Sequence, residues 1–280
     1  MNKEILIICR GGGDLATGIV HRLFRAGYQV LILETAEPAA IRRQVSFCEA
    51  VYEGTATVEG VTAERIYTAK KQAVEEVLQR GRIPLLVDPD GRSIEVLKPD
   101  VVVDAIIAKK NLGTYKEMAP LVIGIGPGFV AGKDVHLVVE SMRGHNLARI
   151  LKTGSALANT GIPGNIGGYT KERVIHAVAE GYMKNLHQIG DVVQKGEEIA
   201  RIYEQMSPEG VFSGRFVSVE ATIPGVLRGL IREGYHFQKG FKIADIDPRE
   251  SELANCFTIS DKASSIGGSV LEAVCRYVNG

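Results

Sequence analysis

Two stretches of this sequence are near copies of each other, and they constrain the fold of the second half of the chain more than any other feature. Residues 190–202 read GDVVQKGEEIARI, and residues 234–246, 44 positions later, read GYHFQKGFKIADI. They align without gaps, share seven of thirteen residues and alternate short β-type runs with glycine turns. Such an internal repeat predicts a β unit built from two similar halves.

The two copies resemble the halves of a barrel-sandwich hybrid, the fold of biotinyl and lipoyl carrier domains, in which two such halves interlock about a pseudo-twofold axis. Carriers of this type bear their modified lysine on the hairpin between the halves. The intervening residues 203–224 contain no lysine. The resemblance therefore implies a β barrel-sandwich hybrid (biotinyl/lipoyl-like) domain over residues 181–247, without the carrier function.

The N-terminal region has the pattern of a βαβ unit. Residues 4–9 (EILIIC) are typical of a buried parallel strand, and a glycine turn follows them directly. Apolar residues then recur at helical spacing from 14 to 26, and residues 29–34 form a second apolar run that ends in an acid. Strand, glycine turn, helix and strand within about 30 residues predict a βαβ unit.

The alternation of strands and helices continues beyond this unit, with apolar runs at 83–87, 101–108 and 121–125 and a helical pattern at 70–80. This alternation predicts an α/β domain with a Rossmann-like doubly wound sheet over residues 1–180. Residues 248–280 are expected to form a C-terminal segment and a helix that returns to the α/β domain, because the termini around an inserted domain often lie close together. Ligands of such sheets bind beyond the carboxyl ends of the strands.

The first glycine turn matches the dinucleotide-binding fingerprint. Gly11 and Gly13 stand in a Gly-x-Gly-x-x-Ala pattern, and Glu34 lies 21 residues beyond Gly13. In that pattern the glycines let a pyrophosphate approach the backbone, and the acid binds a ribose hydroxyl. Asp14 is expected to cap the helix, and its charge opposes a phosphate unless a cation lies between them. The alternative is that Gly11, Gly12 and Gly13 only let the helix pack closely on the sheet.

Other candidate ligand-binding residues lie in four segments. A GIGPG turn follows the run at 121–125, and an Arg-Gly-His-Asn sequence precedes a helical pattern (LARILKTG), which suits either an anion site or a plain capped loop. Residues 159–168 form a glycine-rich loop that we expect to be functional, and a second glycine pair precedes the last helix. The candidates are Gly126, Gly128, Arg143, His145, Asn159, Asp261, Lys262, Gly267 and Gly268.

Cysteine and histidine spacing indicates no metal site. The four cysteines include no Cys-x-x-Cys pair, and the six histidines lack metal-ligand spacing. Cys9 and Cys275 fall within a predicted strand and a predicted helix, which is typical of structural residues. Cys48 and Cys256 lie at element boundaries near polar residues, so they are the candidate reactive thiols, with a structural role as the alternative.

The charge balance limits the classes of partner. Lys plus Arg and Asp plus Glu both number 33, so the chain has no net formal charge. This balance argues against a dedicated nucleic-acid or anionic-membrane partner. No apolar stretch approaches the roughly 20 residues of a spanning helix, and the N-terminal apolar run is too short for a signal peptide. We therefore expect a cytoplasmic protein.

Several motifs together resemble the YqeB family, whose members are called selenium-dependent molybdenum hydroxylase system proteins. In chain order the motifs are GGGDLATGIVHRLFRAG, RRQVSFCEAVYEG, GIGPGFVAGKDV, RGHNLARI, ANTGIPG, PGVLRGLIREG, DIDPR and ISDKASSIGG. The resemblance runs through nearly the whole chain. One departure is Ala148, where the family is expected to have glycine.

This resemblance implies an accessory or maturation protein for a selenium-dependent molybdenum hydroxylase, with that enzyme and its maturation factors as partners. A nucleotide-type pocket suits an NAD-like dinucleotide or a molybdopterin cofactor, and a thiol such as Cys48 would carry or position selenium. Two alternatives stay open, a non-catalytic cofactor chaperone or docking module and an NAD-dependent oxidoreductase. No catalytic Tyr-x-x-x-Lys pair and no paired catalytic His and Asp can be assigned for the latter, and whether the chain is an enzyme stays undecided.

Overall fold

A computed structural model describes residues 5–158, 161, 164 and 166–280. The chain divides into two compact units, the first with residues 1–38, 45–160 and 259–280, the second with residues 39–44 and 161–258. Both boundaries expected from the sequence, at 180 and 247, fall inside the second unit. The short segment 39–44 belongs to that unit although it lies early in the chain.

The first unit alternates strands with helices. Its elements are β1 (Leu6–Arg10), α1 (Asp14–Arg25), β2 (Gln29–Glu34), α2 (Ala50–Glu53), β3 (Thr55–Val58), β4 (Val61–Ile66), α3 (Lys71–Gln79), β5 (Ile83–Val87), α4 (Ser93–Leu97), β6 (Val101–Asp104), β7 (Leu121–Ile125), β8 (Leu137–Val139), β9 (Ile150–Leu151) and α5 (Asp261–Asn279). Short 3₁₀ helices at Phe47–Glu49 and Lys116–Met118 lie between them.

Nine strands of this unit form one sheet in the order β3-β4-β5-β2-β1-β6-β7-β8-β9. The strands from β4 to β8 in this order run parallel, and β3 and β9 close the two edges antiparallel. The strand order reverses between β1 and β6, because β2 lies on one side of β1 and β6 on the other. The α/β class predicted from the sequence is confirmed.

Alternate residues of the central strands pack into two apolar cores on opposite faces of the sheet. On one face, Ile7 and Cys9 of β1 pack with apolar residues of α1 and α5. On the other face, Ile8 of β1 packs with residues of α3 and α4. Strands buried on both faces explain why their sequences are continuous apolar runs.

Helices α1 and α5 approach each other closely through small residues. A Cβ added at Gly267 would lie 2.7 Å from the carbonyl oxygen of Gly18, and one added at Gly18 would lie 2.7 Å from the Cβ of Ala263. Helix α5 begins at Asp261, with the Ser260 hydroxyl accepting a hydrogen bond from the Ala263 N–H. The expectation that this glycine pair precedes the last helix is therefore wrong, because Gly267 and Gly268 both lie inside α5.

The second unit consists of two four-stranded antiparallel sheets. Its strands are β10 (Val174–His176), β11 (Gly181–Asn185), β12 (Val192–Val193), β13 (Glu198–Met206), β14 (Phe212–Glu220), β15 (Gly225–Leu230), β16 (His236–Phe237) and β17 (Lys242–Asp247). One sheet has the order β10-β17-β15-β12 and the other β14-β13-β11-β16. The apolar residues between them form a core of their own.

The sequence repeat appears in the strand pairing of this unit. Gly181 of β11 pairs with Phe237 of β16, and Gly225 of β15 pairs with Val193 of β12. Gly225 lies 44 residues after Gly181, and Val193 lies 44 residues before Phe237, so the two pairs are equivalent in the repeat. Each copy thus contributes its short strand, β12 or β16, to the sheet of the other. The first residue of β11 and of β15 is glycine at positive φ, because a Cβ there would overlap a carbonyl oxygen of the neighbouring strand.

Three further expectations concern local structure. The helix expected after Asn146 is absent from residues 147–154, which form turns and the short strand β9. Part of the glycine-rich loop at 159–168, including Asn159, lies outside the described residues. Within the described ranges, no helix is long and apolar enough to cross a membrane.

Candidate functional site

The first glycine turn lies at the carboxyl ends of β1 and β6, where the strand order reverses. The Gly11 N–H donates to the Leu33 carbonyl oxygen, and the Cys48 N–H donates to the Gly12 carbonyl oxygen, both at 2.8 Å. A Cβ added at Gly11 would lie 2.9 Å from the Ala105 carbonyl oxygen, and one at Gly12 would lie 3.1 Å from the Cys48 nitrogen. Gly11 and Gly12 are therefore required by contacts within the protein.

Gly13 differs from its two neighbours because it adjoins open space. A Cβ added there would meet no atom within 4 Å. Gly13 is also the N-cap of α1, with Asp14 as the first helical residue. The expectation that Asp14 caps the helix is therefore wrong, although its carboxylate in the first turn still interacts favourably with the helix dipole.

Glu34 at the end of β2 is held by backbone groups of the chain. Its Oε1 accepts a hydrogen bond from the Gly12 N–H at 2.8 Å, and its Oε2 accepts one from the Thr35 N–H at 2.7 Å. Burial raises the pKa of Glu34, while these two N–H groups act in the opposite direction. The sequence correctly placed this acid beside the glycine turn, and its contact with a ribose hydroxyl stays a prediction.

Four predicted residues meet at the N-terminal turns of α1 and α5. Arg143 forms a bidentate ion pair with Asp261, at 2.7 and 2.9 Å. Burial and the charge of Arg143 lower the pKa of the half-buried Lys262, whereas Asp14 and other nearby acids raise it. The charge of Asp14 also raises the pKa of Arg143, after the larger effect of its ion pair with Asp261. This charged cluster consists of Asp14, Arg143, Asp261 and Lys262.

Glu140 positions the loop that carries Arg143, and the sequence did not single it out. Its Oε1 accepts a hydrogen bond from the Met142 N–H at 2.6 Å, and its Oε2 accepts one from the Leu157 N–H at 2.8 Å. Glu140 is 3% exposed and follows β8 directly. Glu140 could have been found in the sequence, because it is an acid at the end of an apolar strand, the same signal that identified Glu34.

The remaining predicted glycines and His145 do not join this cluster. A Cβ at Gly126 would meet the Ser141 side chain, and one at Gly128 would meet the Lys110 backbone, so both serve packing contacts. His145 is exposed, and Gly268 has open space around its Cα within α5. These positions give no geometric sign of a shared ligand.

Both candidate thiols are buried. Cys48 and Cys256 are each 1% exposed, and burial raises the pKa of Cys256. Burial also raises the pKa of Cys9. A buried thiol with a raised pKa holds little thiolate, so this environment does not favour a nucleophilic cysteine.

A buried polar group lies next to the glycine turn, and none of its residues was among the site candidates from the sequence. Arg10 and Asp104 end β1 and β6, each is 2% exposed, and the guanidinium and carboxylate lie 3.7 Å apart. The Thr114 hydroxyl donates to Asp104 at 2.5 Å and accepts from Arg10. Asp104 lies in the apolar run at 101–108, and β6 ends at it. This group fixes the two strand ends between which the parallel sheet reverses.

Within the described residues, no group of three or more His, Cys, Asp or Glu side chains is arranged to hold a metal ion. The charged cluster contains two carboxylates and two cationic side chains, and Arg143 is already paired with Asp261. The N–H groups in the first turn of α1, next to Gly13, are the part of this region that favours an anionic group.

The nine-stranded sheet with its helices and the two antiparallel sheets define an α/β protein with a second, antiparallel β unit. The chain belongs to the YqeB family: it is 47% identical over 274 residues to the uncharacterized protein YqeB of Escherichia coli (strain K12). The alignment covers 98% of this chain but 48% of that relative, so the chain spans about half the relative's length. No family model matches the sequence.

Two solved structures are distant likenesses of this chain. The product-bound ectoine utilization protein EutE (DoeB) from Ruegeria pomeroyi is 11% identical with a TM-score of 0.28, over 87% of this chain and 85% of that one. An aspartoacylase family protein from Mesorhizobium loti is 11% identical with a TM-score of 0.29, over 88% and 85% of the two chains. These scores are too low to indicate a shared fold.

Proposed function

We propose that the chain is an accessory protein in the maturation of a selenium-dependent molybdenum hydroxylase, and that it binds a nucleotide or molybdopterin-type cofactor. The selenium and molybdenum part of this proposal rests on the resemblance to the family. The binding part rests on one observation, the open N-cap at Gly13 beside Lys262 and Arg143 where the strand order reverses. Nucleotide ligands of doubly wound sheets bind at such a reversal.

The strand order β5-β2-β1-β6-β7-β8 supports a Rossmann-like first unit. It matches the 3-2-1-4-5-6 order of dinucleotide-binding sheets, with β4 as an additional parallel strand. In this proposal a phosphate lies over Gly13 and the first turn of α1, where N–H groups and the helix dipole favour an anion. Lys262 adds positive charge, and Asp14 makes binding depend on a divalent cation.

The second unit is proposed to be a barrel-sandwich hybrid. The exchange of short strands between the two copies supports this architecture. Because residues 203–224 contain no lysine, we propose a docking role toward the hydroxylase rather than a carrier role. A biotinyl or lipoyl adduct in an intact-mass measurement would exclude this part of the proposal.

The environment of the thiols favours a cofactor chaperone over a thiol-based catalyst within this proposal. Cys48 and Cys256 are buried, so selenium transfer through either would require their exposure. The chaperone form needs only binding and release of the cofactor. It is the form that we favour.

Native mass spectrometry of the freshly purified protein tests the proposal directly. We expect a co-purifying mass equal to a nucleotide or a pterin cofactor. Titration of NAD, ADP and a molybdopterin dinucleotide, each with and without Mg²⁺, then identifies the class of ligand. Absence of binding by all three, with no co-purifying species, would refute the proposal.

A further inference from the structure

A cavity of about 720 Å³ lies at the amino ends of β6, β7 and β8, the edge of the sheet opposite to the glycine turn. Its walls come from the three connections that lead into these strands, and they include the apolar side chains of Ile94, Tyr115 and Met118. All of these residues belong to the first unit. Small-molecule sites have volumes of roughly 300–1,000 Å³ and combine apolar walls with a few polar groups. The size of this cavity therefore suits a small molecule.

His136 lines the cavity and is tied into the pairing of β7 with β8 through its ring. The Val122 N–H donates to the His136 Nδ1 at 2.9 Å, and the His136 N–H donates to the Val122 carbonyl oxygen at 2.9 Å. Because Nδ1 accepts a hydrogen bond, the neutral ring carries its proton on Nε2. Burial lowers the pKa of His136 and the charge of Lys116 acts in the same direction, whereas Glu117 opposes them. The Nε2–H has no acceptor in the part of the chain that the structure describes.

One cation and one anion share the interior of the cavity with this N–H group. Lys116 and Asp100 both line it and are half-buried. The Asp100 Oδ2 accepts a hydrogen bond from the Leu6 N–H at 2.9 Å, which leaves Oδ1 as an acceptor. Neither Lys116 nor Asp100 forms an ion pair with another described residue. The interior therefore offers two donors for a negative group and one acceptor for a positive group.

The charges at the rim narrow the class of ligand. Glu95, Lys98 and Glu117 also line the cavity and are exposed. With the two interior charges, the lining has three carboxylates and two ammonium groups. A ligand with negative groups alone would meet this acidic excess, and a ligand with positive groups alone would be repelled by Lys116. A ligand with one group of each sign matches the interior.

We propose that this cavity binds a small zwitterion with a carboxylate and an ammonium group, as in a free α-amino acid. The carboxylate accepts hydrogen bonds from the His136 Nε2–H and the Lys116 ammonium, and the Asp100 Oδ1 accepts one from the ligand's ammonium group. Tyr115 and Met118 contact the apolar part of the ligand. The cavity lies at the edge of the sheet opposite to Gly13, so this inference is independent of the proposed cofactor site.

Thermal unfolding in the presence of each standard amino acid at about 10 mM tests the proposal, because a ligand that binds the folded chain raises its midpoint. We expect at least one amino acid to do so. That amino acid is then compared with its amide, which lacks the carboxylate, and with its deamino acid, which lacks the ammonium group. Each analogue loses one charge-assisted contact, so we expect each to bind about tenfold more weakly or less.

Two variants place the ligand in the cavity. His136→Asn retains an acceptor for the Val122 N–H in its Oδ1 but lacks the Nε2–H, and Lys116→Met lacks the ammonium group. We expect both to bind the amino acid about tenfold more weakly, with circular dichroism showing that they are folded. His145→Asn is the matched control, because His145 is an exposed histidine of the same unit outside the cavity, and its affinity should equal that of the wild type.

Nuclear magnetic resonance supplies a direct readout of the contact. The ring-proton signals of His136, identified by their loss in His136→Asn, should shift with the amino acid until the site is saturated. Failure of every amino acid to stabilise the wild type overturns the proposal. So does an amide or a deamino acid that binds as tightly as the amino acid, or an affinity that is unchanged in both His136→Asn and Lys116→Met.

Discussion

The contact between α1 and α5 allows a prediction with a matched control in adjacent residues. Gly267 and Gly268 lie in the same turn of α5, but only Gly267 faces α1. A Cβ at Gly267 would lie 2.7 Å from the Gly18 carbonyl oxygen and 3.3 Å from the Ile19 Cα, whereas one at Gly268 would meet nothing within 4 Å. We therefore expect opposite effects of alanine at the two positions.

The magnitudes follow from two terms. Alanine in place of glycine inside a helix stabilises it by about 1 kcal/mol, and this gain applies to both variants. Overpacking against a rigid backbone costs about 1–3 kcal/mol, and this cost applies to Gly267→Ala alone. The difference between the two unfolding free energies, about 1–3 kcal/mol, therefore measures the overlap with α1.

Thermal and urea unfolding followed by circular dichroism supply the measurement. At about 2–4 °C per kcal/mol, Gly268→Ala should melt a few degrees above the wild type and several degrees above Gly267→Ala. Equal stabilisation by both substitutions would show that α5 does not pack on α1 through Gly267. Weaker ligand binding by Gly268→Ala with unchanged stability would instead support the earlier expectation that the glycine pair faces a ligand.

Three further predictions concern the edge where the strand order reverses. Arg10→Met leaves Asp104 buried without its cation, so urea unfolding should show that the free energy of unfolding falls by about 3–5 kcal/mol. Arg92→Met is the control, because it removes an exposed ion pair with Asp90 and should lower the free energy of unfolding by about 0–1 kcal/mol. The pKa of Glu34 is raised in the folded chain, so its contribution to stability is complete below its ordinary value of 4.5 and is lost as the pH rises through the folded pKa. Glu34→Gln should therefore flatten the fall in stability above pH 4.5, followed by urea unfolding at a series of pH values, and an unchanged profile would contradict it. In titration calorimetry, Asp14→Asn should tighten binding of the phosphate ligand about tenfold and reduce the Mg²⁺ dependence of that binding. Lys262→Met should weaken binding by about the same factor. Equal affinities in the wild type and both variants would place the ligand elsewhere.

Features of the fold that depend on local sequence could be predicted. The apolar runs at 4–9 and 29–34 predict β1 and β2, and the helical spacing of apolar residues from 14 to 26 predicts α1. These patterns lie within short stretches of consecutive residues. The repeat likewise anticipates two halves whose strand pairs match after a shift of 44 residues. Neither inference needs a long-range contact.

Features that depend on distant residues could not be predicted. The sequence after Asn146 has helical spacing, but β9 pairs with β8 and Glu140 accepts the Leu157 N–H, and these tertiary contacts outweigh local propensity. The start of α5 at Asp261 was missed although Ser260 is a good cap, because the glycine pair suggested a loop. The reason for glycine at 267 lies on α1, 249 positions earlier in the chain.

The geometry of Glu34 bears on whether the glycine turn can accept a ligand at all. Both of its carboxylate oxygens already accept a backbone N–H, from Gly12 and from Thr35. An ionised carboxylate can accept about four hydrogen bonds, so these two leave capacity for a ligand hydroxyl. They also fix the carboxylate beside the turn before any ligand arrives, which lowers the entropic cost of binding. Gly11 and Gly12 are therefore explained by contacts within the protein, with the Gly12 N–H holding Glu34, and Gly13 is the one glycine of the three at which an added Cβ would meet open space.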